Sequence, residues 1–409
     1  MNRSFLQKIR TVKTADILSF FLFLIALPVS LFYRKKRKHI WLICEYGPEA
    51  RDNAYYLFRY LREEKKDVDA VYALDRDSID RDRVTTIGEV VNYGSLRHWV
   101  YYLSAEVNIS SQKGGKPNAA VCYILEVVTG LLKNTRVFLQ HGIIKDDLPF
   151  LHYDKTKMSL FMCSTQREFE FVRDTFGYPD GAVVLTGLCR YDNLFSVEKG
   201  KSIAIMPTWR EWLFKPGQME AVENTSDFKE TVFYKNWSHL IKELLTTLED
   251  SGVKIRVCLH RNLQQYNEYF REIDPCIEVV DLSNGDVIDV LKESSCMISD
   301  YSSVAIDFAY LRKPLAYYQA DYEQFRKNHL PEGYYDYEKD GFGRVFYEEK
   351  PLVDWVKGVS ENGFVMEEEY AERVEKFFTF CDRKYCERNY NAIVKMLEEK
   401  NEKRKQCPD

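Results

Sequence analysis

The feature that most constrains this chain is an alternation, made twice over, of short apolar runs with amphipathic stretches. IWLIC (40–44), DAVYAL (69–74), EVNIS (106–110), RVFLQ (136–140) and LFMCS (160–164) have the length and the β-branched or aromatic content of buried strands. Stretches of helical period, such as AYYLFRYLREE (54–64), lie between them. A second series runs SIAIMP (202–207), VKIRVCL (253–259), IEVV (277–280), CMIS (296–299) and PLAYY (314–318). Strands that are apolar throughout and joined by helices form parallel sheets covered on both faces. The pattern therefore predicts an α/β chain with two parallel-sheet domains, parted near 195–201 where SVEKGK is polar. A length of 409 residues also exceeds one ordinary core. The expected division is a segment 1–39, domains 40–198 and 199–366, and a charged C-terminal helical segment 367–409.

The first segment has its own logic. From Ile17 to Tyr33 the chain runs ILSFFLFLIALPVSLFY without a charge, and Arg34, Lys35, Lys36, Arg37 and Lys38 follow at once. As a helix these residues span roughly 26 Å, the lower limit for crossing a bilayer. Arg3, Lys8, Arg10 and Lys13 make the other flank basic as well, and Pro28 predicts a kink near the end. The expectation is a membrane attachment that either crosses once or lies in the interface. A buried first helix is the alternative, and a cleaved signal peptide is disfavoured because no small-residue cleavage site follows Tyr33.

Charge separates this segment from the rest. Residues 1–39 hold nine Lys or Arg and one acid, which leaves 49 basic and 62 acidic side chains in the body, a balance of 49 − 62 = −13. An acidic body is a poor nucleic-acid binder, whereas the basic arm suits an anionic membrane surface. Ten cysteines are scattered without a Cys-x-x-Cys pair or matching histidines, which argues against a zinc site and a disulfide framework. Apolar neighbours around Cys163 and Cys258 suit reduced core thiols, so the cytoplasm is the expected compartment.

In open α/β sheets, ligands bind beyond the carboxyl ends of the strands. Two of the seven histidines stand there: His141 in FLQHGII and His260 in VCLHRN, one in each expected domain. Either alone can be structural; together they are candidates for accepting a proton from an attacking hydroxyl. Gly142 permits close approach or an unusual backbone angle, and is otherwise an ordinary turn glycine. MPTWR (206–210) closes the first strand of the second series, so Thr208 and the Arg210 guanidinium are candidates for holding phosphate oxygens. Arg261 is a second such cation. In ISDYSSVAIDFAYLRKPLAYY (298–318), Asp300 ends a strand, Ser302 and Ser303 open a helix, and Asp307 lies about one turn in. A helix start with two hydroxyls suits a diphosphate, and Asp307 suits a sugar or polyol hydroxyl. The plainer reading is that Asp300, Ser302 and Ser303 cap the helix. No Asp-x-Asp pair follows a strand, so the sequence calls for no metal.

At these residues the chain resembles the CDP-glycerol glycerophosphotransferase family, the teichoic-acid primases and polymerases and their capsule-forming relatives. The likeness covers roughly residues 45–350, through EARDNAYYLFRYL (49–61), SSQ (110–112), LQHG (139–142), TGLCRYDNL (186–194), PTWR (207–210), LHRN (259–262) and DYSSVAIDFAYLRKP (300–314). The resemblance implies a GT-B-like pair of Rossmann-type domains, acceptor-side first and CDP-donor-binding second. It also implies association with the inner membrane face and metal-independent transfer from CDP-glycerol to a lipid-linked polymer, with release of CMP. It assigns His141 as general base, His260 to the donor diphosphate, and Ser302, Ser303 and Asp307 to donor binding, and it leaves the contact of Arg210 unspecified. Family members often carry proline where this chain has Arg261 and Cys189, so CDP-ribitol as donor and the identity of the acceptor stay open. A nucleotide-sugar transferase and a non-catalytic polymer-binding protein of envelope assembly are the rival readings, and homo-oligomerisation is left open.

Overall fold

Each apolar run that marks a strand forms one, and all pairings between named strands are parallel. The computed structural model describes residues 13–197, 200–213, 228–328 and 333–406. Arg3, Lys8, Arg10, part of the 195–201 tract (Glu198 and Lys199) and Cys407 lie outside the described residues. The chain divides into a first unit, Met1–His141, Pro149–Asn193 and Phe380–Asp409, and a second, Gly142–Leu148 and Leu194–Thr379.

The first unit holds a seven-stranded sheet in the order β3-β2-β1-β4-β5-β6-β7. Its strands are β1 (Ile40–Cys44), β2 (Asp69–Leu74), β3 (Glu89–Asn92), β4 (Val107–Ser110), β5 (Arg136–Phe138), β6 (Leu160–Cys163) and β7 (Val183–Leu185). The second unit has β8 (Ser202–Met206), β9 (Lys254–Val257), β10 (Glu278–Val279), β11 (Cys296–Ser299), β12 (Leu315–Tyr318) and β13 (Arg344–Phe346). Their order, β10-β9-β8-β11-β12-β13, is the Rossmann order 3-2-1-4-5-6, and the first sheet is the same order with one strand added. In each sheet the direction of winding reverses beside the first strand, at β1/β4 and at β8/β11. The central strands β1, β8 and β11 are buried along their whole length, as apolar residues covered on both faces must be.

Helix α1 (Thr14–Lys36) continues through Pro28. Its buried residues, Ser19, Phe23, Ala26 and Ser30, fall on one stripe, and the stripe packs on a helix of the first unit, Leu96–Ser104, here α3. Trp99 donates to Ser19 Oγ at 3.0 Å and meets Phe23 edge-on at 5.4 Å, while Tyr33 donates to Tyr101 at 3.0 Å. Arg37 then pairs with Asp69 and Glu89, tying the end of α1 to the sheet. The helix between β1 and β2, Asn53–Glu64, is α2.

The C-terminal segment differs from the single helical stretch expected over 367–409. It forms two helices, Glu368–Phe377 in the second unit and Tyr385–Gln406 in the first, with Arg383 at φ 56° between them. Asp192 accepts from the backbone N–H groups of Tyr385 and Cys386, both at 2.8 Å, and so caps the returning helix. That helix buries Cys386, Ile393 and Leu397 against the core around Trp41 and Leu57.

His98 in α3 supplies a pH-dependent term. It is wholly buried, and its Nδ1 accepts from the Gly94 N–H at 3.1 Å. Burial opposes the imidazolium and lowers the pKa from 6.5 to about 3. Because the unfolded chain binds this proton first, the stabilisation is complete above pH 6.5 and is lost as pH falls towards 3. Unfolding free energy measured by urea titration is expected to fall by about 2 kcal/mol between pH 6.5 and 5. His98→Gln removes that slope whatever it does to stability at neutral pH.

Candidate active site

Three adjacent strands of the second sheet, β9, β8 and β11, deliver Cys258–Arg261, Pro207–Arg210 and Asp300–Ser303 at their carboxyl ends. Ser299 Oγ donates to the Met206 carbonyl at 2.7 Å and locks the ends of β8 and β11. Asp300, wholly buried, then joins the two loops: Oδ1 accepts from Thr208 N–H at 2.8 Å and Tyr301 N–H at 2.6 Å, and Oδ2 from Arg210 Nη2 at 2.8 Å.

Arg210 requires a correction. The sequence offers its guanidinium to phosphate, but the side chain is 1% exposed and every nitrogen is engaged. Nε and Nη2 reach Asp321 at 2.7 and 3.1 Å, Nη2 also meets Asp300, and Nη1 donates to the Thr208 carbonyl at 2.7 Å. Tyr301 and Phe325, stacked at 3.6 Å, cover it from 5.0 and 5.1 Å. A strand-end position makes an arginine look available; two carboxylates that the sequence places 90 and 111 residues away claim it. Asp300 is likewise a tie between loops and does not cap the following helix, whose N-cap is Ser303.

The remaining candidates are placed differently. Thr208 gives its N–H to Asp300, while its buried hydroxyl has no partner among the described residues. Ser302 and Ser303 are half-buried at the start of Val304–Tyr310; Ser302 Oγ accepts from Val304 N–H at 3.3 Å and Ser303 makes no side-chain cap bond. Asp307, one turn in, is 5% exposed. His260 and Arg261 are exposed. The His260 ring lies 6.2 Å from that of Trp209, and its Nδ1 accepts from Asn262 N–H at 3.2 Å. In the neutral ring this leaves the proton on Nε2, which makes His260 a donor at that atom.

Gly142 belongs to the second unit, and a Cβ built on it would stand 2.9 Å from Ser303 Oγ. Within the second unit the missing side chain of Gly142 thus allows a close approach to Ser303.

His141, one peptide bond earlier, ends the first unit's stretch after β5 and is exposed. Gln140 before it has φ 62°, a left-handed conformation that a non-glycine residue adopts only when its surroundings hold it there. Asn53 Nδ2 donates to the Gln140 carbonyl at 2.7 Å, and Asn53 Oδ1 accepts from Arg190 N–H at 3.0 Å. Arg190 Nη1 closes the ring on the His141 carbonyl at 2.9 Å and on Asp52 at 2.7 Å. Glu45 accepts three backbone N–H groups, of Arg51, Asp52 and Tyr55, at 2.7–2.8 Å and so orders the start of α2. Asn53, Gln140 and Arg190 were not singled out from the sequence. Their signal was membership of the motifs EARDNAYYLFRYL, LQHG and TGLCRYDNL, which converge here. Among the described residues no three His, Cys, Asp or Glu side chains are grouped to hold a metal ion.

Two Rossmann-order parallel sheets, each with its ligand-type loops at the strand ends, define a protein of the GT-B class. The sequence model of the CDP-Glycerol:Poly(glycerophosphate) glycerophosphotransferase family matches residues 25–395, and the chain belongs to that family. It is 33% identical over 372 residues to the minor teichoic acid biosynthesis protein GgaB of Bacillus subtilis (strain 168), covering 88% of this chain and 40% of that protein. The chain thus spans less than half the length of this relative. A teichoic acid glycerol-phosphate transferase of Staphylococcus aureus is 23% identical over 198 residues, 48% of this chain and 45% of its own length. Among solved structures, a variant of the wall teichoic acid polymerase TagF superposes with a TM-score of 0.65 at 17% identity, over 95% of this chain and all of that one. Staphylococcus aureus MnaA with UDP shares the fold at a TM-score of 0.55 and 13% identity, over 88% of this chain and 97% of that one.

Arg210→Met leaves Asp300 and Asp321 buried without their cation, and is expected to cost about 3–5 kcal/mol in urea unfolding. Unchanged stability with a raised KM for the donor would instead return Arg210 to phosphate binding.

Proposed function

We propose that this protein transfers glycerol phosphate from CDP-glycerol to a hydroxyl of a teichoic-acid-like or capsular polymer carried on a lipid. An acceptor hydroxyl attacks the β-phosphorus, a phosphodiester forms, the pyrophosphate bond breaks and CMP leaves. His141 takes the hydroxyl proton. His260, donating from Nε2, and Arg261 offset charge on the donor phosphates, and the hydroxyls of Thr208, Ser302 and Ser303 hold their oxygens. Asp307 is assigned to a donor hydroxyl, and Arg210 and Asp300 hold the loops that present the others. The observation that supports this reading is the close approach of Gly142, which follows His141 in the chain, to Ser303 at the helix start assigned to the donor. The family description supports the CDP-glycerol donor. His141→Ala is expected to lower CMP release by about 10²–10⁴-fold while CDP-glycerol binding stays measurable by calorimetry; retained turnover removes the base assignment.

We further propose that α1 lies in the interface on the cytoplasmic face and does not cross the bilayer. One stripe of it, from Ser19 to Ser30, is occupied by α3 of the α/β unit, and the residues around the rest of its circumference, including Leu31 and Phe32 at 64% and 70% exposure, are apolar. Leu31→Glu with Phe32→Glu is expected to shift the full chain from the membrane pellet to the supernatant with CMP release from a soluble acceptor unchanged. A double variant that still sediments with membranes argues against the interfacial placement.

A further inference from the structure

At the carboxyl end of α1 the first unit has a recess of about 370 Å³, within the usual range of small-molecule sites. It is separate from the strand-end loops described above. Arg34 and Lys38 line it from the end of α1, Lys133 from the loop before β5 and Lys400 from the C-terminal helix, with His39 and Glu106 beside them. Four permanent cations thus surround one carboxylate, and Glu106 is already paired with His39 Nδ1 at 3.0 Å. Arg34 donates to the Leu103 carbonyl, a neutral oxygen that positions the guanidinium without cancelling its charge. Neither Lys38 nor Lys133 has a carboxylate within 4.0 Å among the described residues.

Bringing like charges together from separate segments raises their mutual repulsion, which an anion between them relieves. The contrast with the rest of the body matters, since residues 40–409 carry a balance of 49 − 62 = −13. Asn134, Thr135 and Ser104 add neutral polar groups to the lining, as suits a ligand with several oxygens. The flanks are apolar: Leu31 and Phe32 are 64% and 70% exposed, and Leu131, two residues before Lys133, is 74% exposed. Basic groups beside exposed apolar side chains match the chemistry of the level where phospholipid headgroups meet acyl chains.

We propose that this recess binds a phosphate group, presented by an anionic membrane lipid or by a soluble phosphate ester. The lipid form rests on the interfacial reading of α1; the anion binding does not, and neither depends on the donor chemistry. The test is calorimetric titration of the full chain with dihexanoyl phosphatidylglycerol below its micelle concentration, with dihexanoyl phosphatidylcholine, inorganic phosphate and glycerol 3-phosphate as separate arms. Saturable binding of an anionic ligand is expected, weakened about tenfold or more by Lys38→Gln with Lys133→Gln. Lys35→Gln with Lys36→Gln, on the same helix end but outside the recess, is expected to change it by no more than about twofold. Tighter binding of the short-chain lipid than of the soluble phosphates assigns the site to lipid, and equal binding assigns it to soluble phosphate esters. Absence of saturable binding by any of the anions, equal binding of the zwitterionic lipid, or equal weakening in both double variants overturns the proposal. Because no turnover is read, failure here leaves the transferase reading standing, and loss of transferase activity leaves this one standing.

Discussion

The second unit depends on one buried constraint, the arginine at position 210 held between two carboxylates. Asp300 follows β11, Asp321 follows β12, and Arg210 follows β8, so the guanidinium joins the ends of strands that pair side by side through the sheet. Removing three ionised groups from water costs several kcal/mol for each ion, and the cost is met here because the carboxylates also accept backbone or side-chain N–H groups in good geometry. The effect is to fix the backbone on either side of the switch point. Thr208, Ser302 and Ser303 then project from loops that have little freedom left, which is what a site acting by positioning requires.

The first unit reaches the same end with an amide at the centre. Asn53 at the start of α2 bridges the carbonyl of Gln140 and the N–H of Arg190, and Arg190 returns to the carbonyl of His141. Gln140 held at a positive φ turns the chain so that His141 leaves the sheet exposed while the residue before it stays buried. Histidine at a strand end is common; here the carbonyls of His141 and of the residue before it are both held, by Arg190 and by Asn53. The two units thus use different chemistry for one purpose, an ion cluster in one and an amide-centred ring in the other.

What could be read from the sequence follows the physics of burial. Central strands such as β1, β2, β8 and β11 are covered on both faces, so their apolar runs are continuous and stand out. The three strands not anticipated, β3, β7 and β13, are all at sheet edges, three or four residues long and partly exposed, so they carry too little apolar signal to be separated from a loop. The same limit applies to the site. The position of Arg210 was legible, yet its partners come from strands that only the assembled sheet makes neighbours, and no spacing in the chain announces Asp321. Gly142 is the converse, because close approach was one of the readings its lack of a side chain allowed, and Ser303 fills the space a Cβ would take.

The N-terminal helix shows why hydropathy alone leaves its placement undecided. Seventeen uncharged residues satisfy a spanning and an interfacial helix equally, because both need apolar side chains around most of the circumference. What the structure adds is the partner of one stripe. Ser19 and Ser30 sit on the stripe with Phe23 and Ala26, at a spacing that keeps them on one face; Trp99 donates to Ser19 Oγ and Ser104 to the Ser30 carbonyl, both from a helix that packs on the sheet of the α/β unit. The Ser30 hydroxyl itself turns back to the Leu27 carbonyl, so it is the Ser19 side chain that meets a hydrogen-bonding side chain of α3. Once that stripe is occupied, the helix is held to the first unit by one face, and the apolar side chains left exposed lie around the rest of its circumference, the arrangement on which the proposed interfacial placement rests.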